Sequence, residues 1–269
     1  MNYRHAFHAG NFGDCMKHAL LVALLRELQK KPAPLFVLDT HAGAGHYDLA
    51  AAAAQRTNEA ANGIFRLLDH VPPALEDYVA TVQRLGLYPG SPELIRSLLR
   101  VDDRLACCEV HPEDYASLRR LFHSDRQVAV HQRDAWQALK ALLPPAQKRG
   151  LVLIDPPYEE PGEFARVADG LTLAQSRFPN AVLAAWYPVK HRAPMRALFD
   201  TLALRDVIAA ELLLREPLDP TQLNGCGLLI VNPPYRFEAE AQSVLTALLE
   251  RLGDRAPGAA ALVTRLADE

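Results

Sequence analysis

The stretch "PLFVLDTHAGAG", residues 34–45, joins a short apolar run to a loop that contains two glycines. Residues 35–38 are apolar and Asp39 follows them, which is the pattern of a strand buried on both faces. Gly43 and Gly45 allow a tight turn after the strand and a close approach of backbone to a ligand. The stretch therefore predicts the first strand of an α/β sheet, with a binding loop at its carboxyl end.

Further apolar runs of strand length follow, and helical stretches separate most of them. The runs cover 104–110, 127–134, 151–157 and 181–188. Strands that alternate with helices pair in parallel through right-handed crossovers. The sequence therefore predicts the α/β class, with a Rossmann-like sheet.

Two late apolar runs break this alternation. "DVIAAELLL", residues 206–214, and "CGLLIVNPP", residues 226–234, are joined by a short polar link that contains a glycine. Strands joined this closely pair antiparallel, since a parallel pair needs a longer crossover. We therefore expect a late antiparallel hairpin beside the parallel strands.

The segment 46–99 does not fit the strand–helix rhythm. About 70 residues separate Asp39 from Glu109, whereas a simple strand–helix–strand unit takes about 30. The extra residues are rich in alanine and leucine and show no strand pattern. We predict a helical insertion at 46–99 between the parts 1–45 and 100–269 of one α/β domain.

Two helix starts are predicted from capping patterns. Asp14 is expected to cap a helix that runs to about Lys31, whose apolar positions recur at helical spacing. Ser91 is expected to cap another helix, with Pro92 at its first position.

The composition fits a soluble globular protein without an overall attraction for polyanions. The chain has 269 residues, 49% hydrophobic and 23% charged, with a formal net charge of −3. A nucleic-acid partner therefore needs a local basic surface. The candidates are Arg4, His5, Lys17, His18 and the run 190–192.

The sequence also favours a cytoplasmic monomer. The N-terminal residues are polar and basic, unlike a signal peptide, and no window reaches the length of a membrane span. No unusual apolar stripe demands a partner subunit. The four cysteines fit no zinc or redox spacing, which predicts reduced packing residues at Cys15, Cys107, Cys108 and Cys226.

Acidic residues stand at the ends of four successive predicted strands. Glu109 follows the second strand, where the acid of a dinucleotide-binding fold contacts ribose hydroxyls. Asp134 follows the third, where a carboxylate can accept a hydrogen bond from an adenine amino group. Because parallel strands end at one edge of a sheet, these acids and Gly43 predict a nucleoside cofactor site.

The fourth strand ends in "DPPY", residues 155–158, the signature of methyltransferases that use S-adenosylmethionine to modify amino groups. The exocyclic nitrogen of adenine is a weak nucleophile because its lone pair is delocalised into the ring. The Asp155 carboxylate and the Pro156 carbonyl can accept its N–H bonds and hold the nitrogen in line with the methyl group. Tyr158 can stack on an extruded base. The motif predicts direct methyl transfer without a metal.

A similar motif, "NPPY", follows a later strand at 232–235. The Asn232 amide could accept the same hydrogen bonds, so residue type does not exclude it. Its strand belongs to the predicted antiparallel hairpin, which carries its end to the opposite edge of the sheet. We therefore interpret Asn232 as a structural stop and Asp155 as the catalytic residue.

The chain resembles the bacterial 23S ribosomal RNA adenine-N6 methyltransferase J family over essentially its full length. The resemblance rests, in order, on "YRHAFHAGNFGDCMKH" at 3–18, "LDTHAGAG" at 38–45, "YPGSP" at 88–92, "LIDPPY" at 153–158 and "AAWYP" at 184–188. It implies a Rossmann-like class I methyltransferase fold with an inserted helical subdomain. It also implies transfer of one methyl group from S-adenosylmethionine to N6 of adenine 2030 in 23S ribosomal RNA.

The resemblance further implies roles for single residues. It assigns cofactor binding to Lys17, His18, His41, Ser91, Glu109 and Asp134. Asp155 takes the catalytic position, and Tyr3 is expected to contact the RNA, with Arg4 and His5 beside it. The family often has Asp-Gly where this chain has Asp134-Ala135, which weakens the expected backbone contact of Ala135 with the cofactor. Trp136 could belong to the core or form a wall that faces the adenine, and we favour the core.

Several alternative functions stay open at this point. The same chemistry could act on DNA adenine, although splayed RNA bases avoid the unpairing cost of a duplex. Methylation of a protein amide is typical of Asn-Pro-Pro-Tyr rather than of Asp155. A nicotinamide-dependent oxidoreductase would need a third glycine after Gly43 and Gly45, and a non-enzymatic binding module leaves the "DPPY" unexplained. For an RNA enzyme, we expect naked 23S ribosomal RNA or an early assembly intermediate as substrate.

Overall fold

A central sheet with helices on both faces organises residues 5–268, the part of the chain that the structure, a computed structural model, describes. Among these residues eight strands form the sheet, in the order β10-β8-β9-β7-β6-β1-β4-β5, and β2 and β3 form a separate pair. The strands are β1 Leu35–Asp39, β2 His46–Tyr47, β3 Tyr88–Pro89, β4 Arg104–Cys108, β5 Val128–His131, β6 Arg149–Ile154, β7 Ala181–Val189, β8 Val207–Leu213, β9 Gly225–Val231 and β10 Ala260–Ala267.

The helices cover an apolar core on each face of the sheet. One core includes side chains of α1, α4, α5 and α10, and the other includes side chains of α7, α8 and α9. The helices are α1 Phe12–Gln29, α2 Ala52–Thr57, α3 Ile64–Leu68, α4 Glu76–Leu85, α5 Ser91–Leu98, α6 Pro112–Leu121, α7 Ala135–Leu142, α8 Glu163–Arg177, α9 Arg192–Thr201 and α10 Phe237–Leu252. None of the described helices is long and apolar enough to span a membrane.

Five neighbouring strands of the sheet, β5-β4-β1-β6-β7, pair in parallel. Every residue of β1 is buried, as expected for a parallel strand covered on both faces. The chain leaves β1 toward β4 on one side and later returns to β6 on the other. The strand order therefore reverses between β1 and β6, which is where open α/β sheets bind ligands beyond the strand ends. The predicted α/β class is confirmed.

The other half of the sheet is antiparallel. β9 lies between β7 and β8 and pairs antiparallel with both, which confirms the predicted hairpin. β10 then pairs antiparallel with β8 at the edge. The sequence prediction missed β10, because an edge strand that is only half-buried lacks the continuous apolar run of the inner strands.

Helix α1 begins three residues earlier than predicted. Asn11 is its N-cap and accepts a hydrogen bond from the Asp14 N–H (2.9 Å). The prediction that Asp14 caps this helix is wrong. The buried Asp14 side chain instead accepts a hydrogen bond from the Gly10 N–H (3.0 Å). The helix ends at Gln29 rather than near Lys31.

The segment 46–99 holds short helices and a small strand pair that the sequence did not predict. β2 pairs antiparallel with β3, and α2, α3 and α4 lie between them in sequence. The last helix of the segment, α5, packs against α1, β1 and β4, as a crossover helix of the main sheet does. The division of the chain at 45 and 99 stays a prediction.

The start of α5 also differs from the prediction. Gly90 is the N-cap and Ser91 is already the first helical residue. Ser91 therefore does not cap the helix, and its hydroxyl is available for a contact with β1 described below.

Candidate active site

A cleft of about 1470 Å³ opens beyond the carboxyl ends of the parallel strands. Every predicted site residue that the structure describes lines it: His5, Lys17, His18, His41, Gly43, Ser91, Glu109, Asp134, Ala135, Asp155, Pro156 and Tyr158. Tyr3 and Arg4 lie outside the described residues. Residues predicted from widely separated motifs thus share one cleft, at the place where the strand order reverses.

Asp155 follows β6 directly and is bound by a lysine from α1. Lys17 Nζ lies 2.6 Å from Asp155 Oδ2 and 3.1 Å from Asp14 Oδ1. The Lys17 side chain is 6% exposed and that of Asp155 16%, so the pair is largely shielded from water. One oxygen of the Asp155 carboxylate is therefore held in place, and the other points to no partner among the described residues.

Asp14 binds two basic residues, His5 and Lys17, at the base of the cleft. Its Oδ2 lies 2.9 Å from His5 Nε2, and the His5 ring packs beside the Tyr47 ring with centroids 4.9 Å apart. Burial alone raises the pKa of Asp14, but the neighbouring charges of His5 and Lys17 outweigh it and hold this pKa well below its ordinary value. A buried, ionised Asp14 thus keeps both basic residues at the cleft.

His41 joins the end of β1 to the "DPPY" loop, residues 155–158. Its Nδ1 accepts a hydrogen bond from the Asp155 N–H (3.3 Å). Burial lowers the pKa of His41 to about 4, so the ring is neutral near pH 7 and Nδ1 can accept this bond. His41 therefore fixes the backbone of the "DPPY" loop against the first strand.

Asp39 lies beneath the cleft and is fully buried. Its Oδ2 accepts from the Ser91 hydroxyl (2.6 Å), which joins β1 to α5. Burial raises the pKa of Asp39 to about 7. Ser91 thus reaches the site through a hydrogen bond to β1, which the capping prediction did not foresee.

Glu109 holds the glycine loop with both carboxylate oxygens. Oε2 accepts from the Gly43 N–H (2.8 Å) and Oε1 from the His111 N–H (2.7 Å). Gly43 has a φ of +63°, and a Cβ there would lie 2.4 Å from Tyr47 Oη. The loop therefore needs glycine at this position, both for its left-handed backbone and for space.

Asp134 stands at the far side of the cleft, beyond β5. Its Oδ1 accepts from the Gln137 N–H (3.0 Å) and caps α7, while Ala135 is buried at the first helical position. Trp136 is only partly buried: it packs in the core and also lines the cleft, edge-on to His41 at 5.8 Å. The expected core packing of Trp136 is therefore confirmed, and the ring also forms part of the cleft wall.

Tyr158 is held in an unusual backbone conformation. Its φ is +54°, which is uncommon for an aromatic residue. The Tyr158 hydroxyl donates to the Trp186 carbonyl (2.8 Å), and its ring packs against Phe164 with centroids 4.8 Å apart. These contacts from β7 and α8 fix the ring over the end of β6.

Comparison with known proteins identifies the family. The family described as "Ribosomal RNA large subunit methyltransferase D, RlmJ" matches residues 32–264. Ribosomal RNA large subunit methyltransferase J of Escherichia coli (strain K12) is 38% identical over 263 residues, with 94% of each chain covered. This chain belongs to the ribosomal RNA large subunit methyltransferase J family. It is therefore a methyltransferase, and the predicted family is confirmed.

Two further relatives of the methyltransferase J family agree with this membership. The enzyme of the same name from Haemophilus influenzae is 36% identical over 264 residues, again with 94% of each chain covered. The crystal structure of protein LPL1258 from Legionella pneumophila has a TM-score of 0.87 and 35% identity, covering 96% of this chain and 98% of that one. The fold is thus shared across the length of the chain.

The second Pro-Pro-Tyr motif of this methyltransferase J chain lies at the other end of the sheet. Asn232 Nδ2 donates to the carbonyls of Pro179 (3.0 Å) and Ala181 (2.9 Å), at the start of β7. Tyr235 is 83% exposed. Antiparallel β9 therefore carries this motif to the edge opposite the cleft, which confirms the predicted position of Asn232; its role as a structural stop stays a prediction.

A buried chain of hydrogen bonds beside the methyltransferase cleft was not predicted. His18 Nδ1 lies 3.1 Å from Tyr88 Oη, which lies 3.2 Å from Tyr78 Oη. Burial lowers the pKa of His18 to about 3, so the ring is neutral. The two tyrosines come from α4 and β3, in a segment where the sequence showed only helical patterns, so no local signal linked them to His18.

Other sequence expectations concern packing and metals. The four cysteines, all among the described residues, are free and buried, which confirms that they are packing residues. Among residues 5–268, no group of three or more histidine, cysteine, aspartate or glutamate side chains is arranged to hold a metal ion.

Proposed function

We propose that this methyltransferase transfers one methyl group from S-adenosylmethionine to N6 of an adenine in 23S ribosomal RNA, adenine 2030 by resemblance. The observation that carries the proposal is the position of Asp155-Pro156-Pro157-Tyr158 in the cleft, at the end of β6 beside the switch in strand order. The names of the relatives support ribosomal RNA as the substrate class.

The residues at the ends of β1, β4 and β5 fit a nucleoside cofactor. Glu109 presents carboxylate oxygens to ribose hydroxyls, and Asp134 Oδ2 has no partner among the described residues and suits an adenine amino group. Gly43 leaves its loop without a side chain where the cofactor would approach the backbone. We assign His41 and Ala135 to the walls of the cofactor-binding part of the cleft. Lys17, His18 and Ser91 are assigned to its floor. Bound S-adenosylmethionine supplies an electrophilic methyl group.

The catalytic loop can orient the substrate amino group. Lys17 occupies Asp155 Oδ2, which leaves Oδ1 to accept one N–H of the adenine. No described residue donates to the Pro156 carbonyl, which can accept the other N–H. Two acceptors placed in advance fix the direction of the nitrogen lone pair and stabilise positive charge that develops on it. Tyr158 supplies a ring face for the extruded base.

The rival functions fit less well. Membership of the methyltransferase J family removes the oxidoreductase and the non-enzymatic module. It also favours ribosomal RNA over DNA as the source of the adenine. We further propose naked RNA or an early assembly intermediate as the physical substrate, a cytoplasmic location and a monomeric enzyme. Tyr3, Arg4 and His5 are proposed to contact the RNA.

The test is methylation of in vitro-transcribed 23S ribosomal RNA with radiolabelled S-adenosylmethionine. Asp155→Ala removes the carboxylate acceptor and should lower the rate by about 100-fold or more. Digestion to nucleosides should place the label in N6-methyladenosine, and a transcript with the target adenine replaced should take up none.

Asn232→Ala is the matched control, because it changes the first residue of the second Pro-Pro-Tyr motif at the opposite edge of the sheet. It should keep the specific activity of wild type in the fraction that folds. Absence of label with wild type, or equal labelling by wild type and Asp155→Ala, would contradict the proposal.

A further inference from the structure

The mouth of the cleft carries opposite charges on its two sides. Glu159 and Glu160 line it on the loop that follows the catalytic motif, and the buried Glu163 lines it at the start of α8, where Arg166 pairs with Glu160 (2.8 Å) and Glu163 (3.5 Å). Lys190 and Arg215 line it on the side of β7 and of the β8–β9 connection. The second side therefore attracts an RNA backbone, whereas the first side offers it no unpaired basic group of equal strength among the described residues.

A surface groove of about 710 Å³ continues from the basic side. It runs between α9 and the residues after β8, and His191 lines both the groove and the cleft. Arg196 projects from α9 into this groove. Asp200 and Glu216 are the acids that line the groove, and neither lines the cleft.

Three basic side chains along this path are not neutralised by acids of the described residues. Lys190 and Arg196 are exposed and form no ion pair with them, and Arg215 donates only to the neutral Gln222 amide (2.8 Å). Arg192, in contrast, is bound to the buried Glu211 (2.7 Å), which also accepts from the Tyr187 hydroxyl. The Arg192–Glu211 pair fixes the start of α9 on β8 and so holds Lys190 and Arg196 beside the cleft.

The strand order explains why a substrate would lie here. The residues that fit the cofactor follow β1, β4 and β5, on one side of β6. Lys190 follows β7, the neighbour of β6 on the other side, and Arg215 follows β8. A base held at Asp155 therefore has its cofactor toward β1 and open surface toward β7, β9 and β8.

We propose that Lys190, Arg196 and Arg215 form a phosphate-binding surface, the basic rim, along which the RNA backbone lies next to the target adenine. The inference rests on the proposed function, because it assumes an RNA substrate in the cleft. Phosphate contacts set the register and affinity of the RNA without reading its sequence.

The test compares two triple variants that remove the same charges. The rim variant is Lys190→Ala, Arg196→Ala, Arg215→Ala. The control is Arg126→Ala, Lys148→Ala, Arg205→Ala, whose exposed residues precede β5, β6 and β8 at the end of the sheet far from the cleft. Binding of in vitro-transcribed 23S ribosomal RNA is measured against salt concentration, together with S-adenosylmethionine binding and thermal unfolding.

The rim variant should raise the Kd for RNA by about 10-fold or more and reduce the dependence of log Kd on log salt by about 2, while S-adenosylmethionine affinity stays at the wild-type value. In methylation assays, the weaker RNA binding of the rim variant should appear mainly as a higher KM for RNA. The control should bind RNA as wild type does.

Equal RNA affinity of the rim and control variants overturns the inference, whether both match wild type or both fall. If the rim variant unfolds, the single variant Arg196→Ala, at an exposed position, tests the inference instead. Its Kd for RNA should rise by about 3-fold, and an unchanged Kd would contradict the basic rim. If the wild-type protein binds S-adenosylmethionine but methylates no 23S ribosomal RNA, that result contradicts the proposed function rather than the basic rim alone.

Discussion

At the scale of single residues, Tyr158 adopts a backbone conformation that costs free energy and places its ring beside the proposed catalytic residue Asp155. A left-handed backbone in an aromatic residue costs about 1 kcal/mol or more. The Tyr158 hydroxyl offsets this through its bond to the Trp186 carbonyl, a contact across β6 and β7. The strained turn holds the ring in one position in the wall of the cleft, packed against Phe164.

Tyr158→Phe should therefore slow methyl transfer while leaving the cofactor site intact. The change removes a hydrogen bond with a net value of about 1 kcal/mol and loosens the ring, so kcat should fall about 3- to 10-fold. Single-turnover labelling of 23S ribosomal RNA and titration with S-adenosylmethionine separate the two effects. Tyr235→Phe, in the exposed second motif, should change neither; a matching loss in both variants would show that the bond to Trp186 is not the cause.

At the scale of elements, α1 and the segment 46–99 meet through a buried polar chain. His18 on α1 is joined to Tyr88 of β3 and through it to Tyr78 of α4. Lys17, the partner of Asp155, is the residue before His18. The position of Lys17 is thus coupled to the packing of the segment between β1 and β4.

Tyr88→Phe should destabilise the protein although it barely changes side-chain volume. It leaves His18 Nδ1 without its buried partner, which costs about 1 to 3 kcal/mol, whereas the Tyr78 hydroxyl keeps its hydrogen bond with the Cys15 side chain. Urea unfolding followed by circular dichroism measures the loss. Tyr115→Phe on α6 is the control, since the Tyr115 hydroxyl has no hydrogen bond to a described residue, and it should stay within about 0.5 kcal/mol of wild type.

At the scale of the whole molecule, burial beneath the cleft makes stability depend on pH. The pKa of Asp39 rises to about 7 on folding, from an ordinary value near 4. Between these values the folded chain holds a proton that the unfolded chain releases, so Asp39 lowers stability as pH rises through this window. His18 and His41, with pKa values lowered to about 3 and about 4, act in the opposite direction as pH falls below about 6.5.

Asp39→Asn should remove the Asp39 contribution alone. The difference in unfolding free energy, variant minus wild type, should become more positive by up to about 3 kcal/mol between pH 4.5 and pH 8. The Ser91 hydroxyl can accept from an amide as readily as it donates to a carboxylate. Urea unfolding at both pH values measures the difference, with the exposed Asp102→Asn as control. An unchanged difference across the two pH values would mean that Asp39 is ionised in the folded protein at both.

Much of the fold could be predicted because strand and helix patterns are local. The apolar runs of β1, β4, β6 and β9 are visible in the sequence, since strands buried on both faces show continuous hydrophobic residues. β10 and the pair β2–β3 were missed, because a half-buried edge strand and two-residue strands leave no such run. The cap of α1 was misplaced, since Asn11 and Asp14 are equally good caps by residue type.

The sequence by itself determined the chemistry available to this protein: a glycine loop after the first strand, acids after the next two and Asp-Pro-Pro-Tyr after the fourth. Only the tertiary structure decided which groups act together, because contacts such as Lys17–Asp155, 138 residues apart, depend on strand order and not on local pattern. For the two Pro-Pro-Tyr motifs the sequence order already predicted their separation, and the structure confirms it, since antiparallel β9 carries Asn232 away from the edge where Asp155 stands.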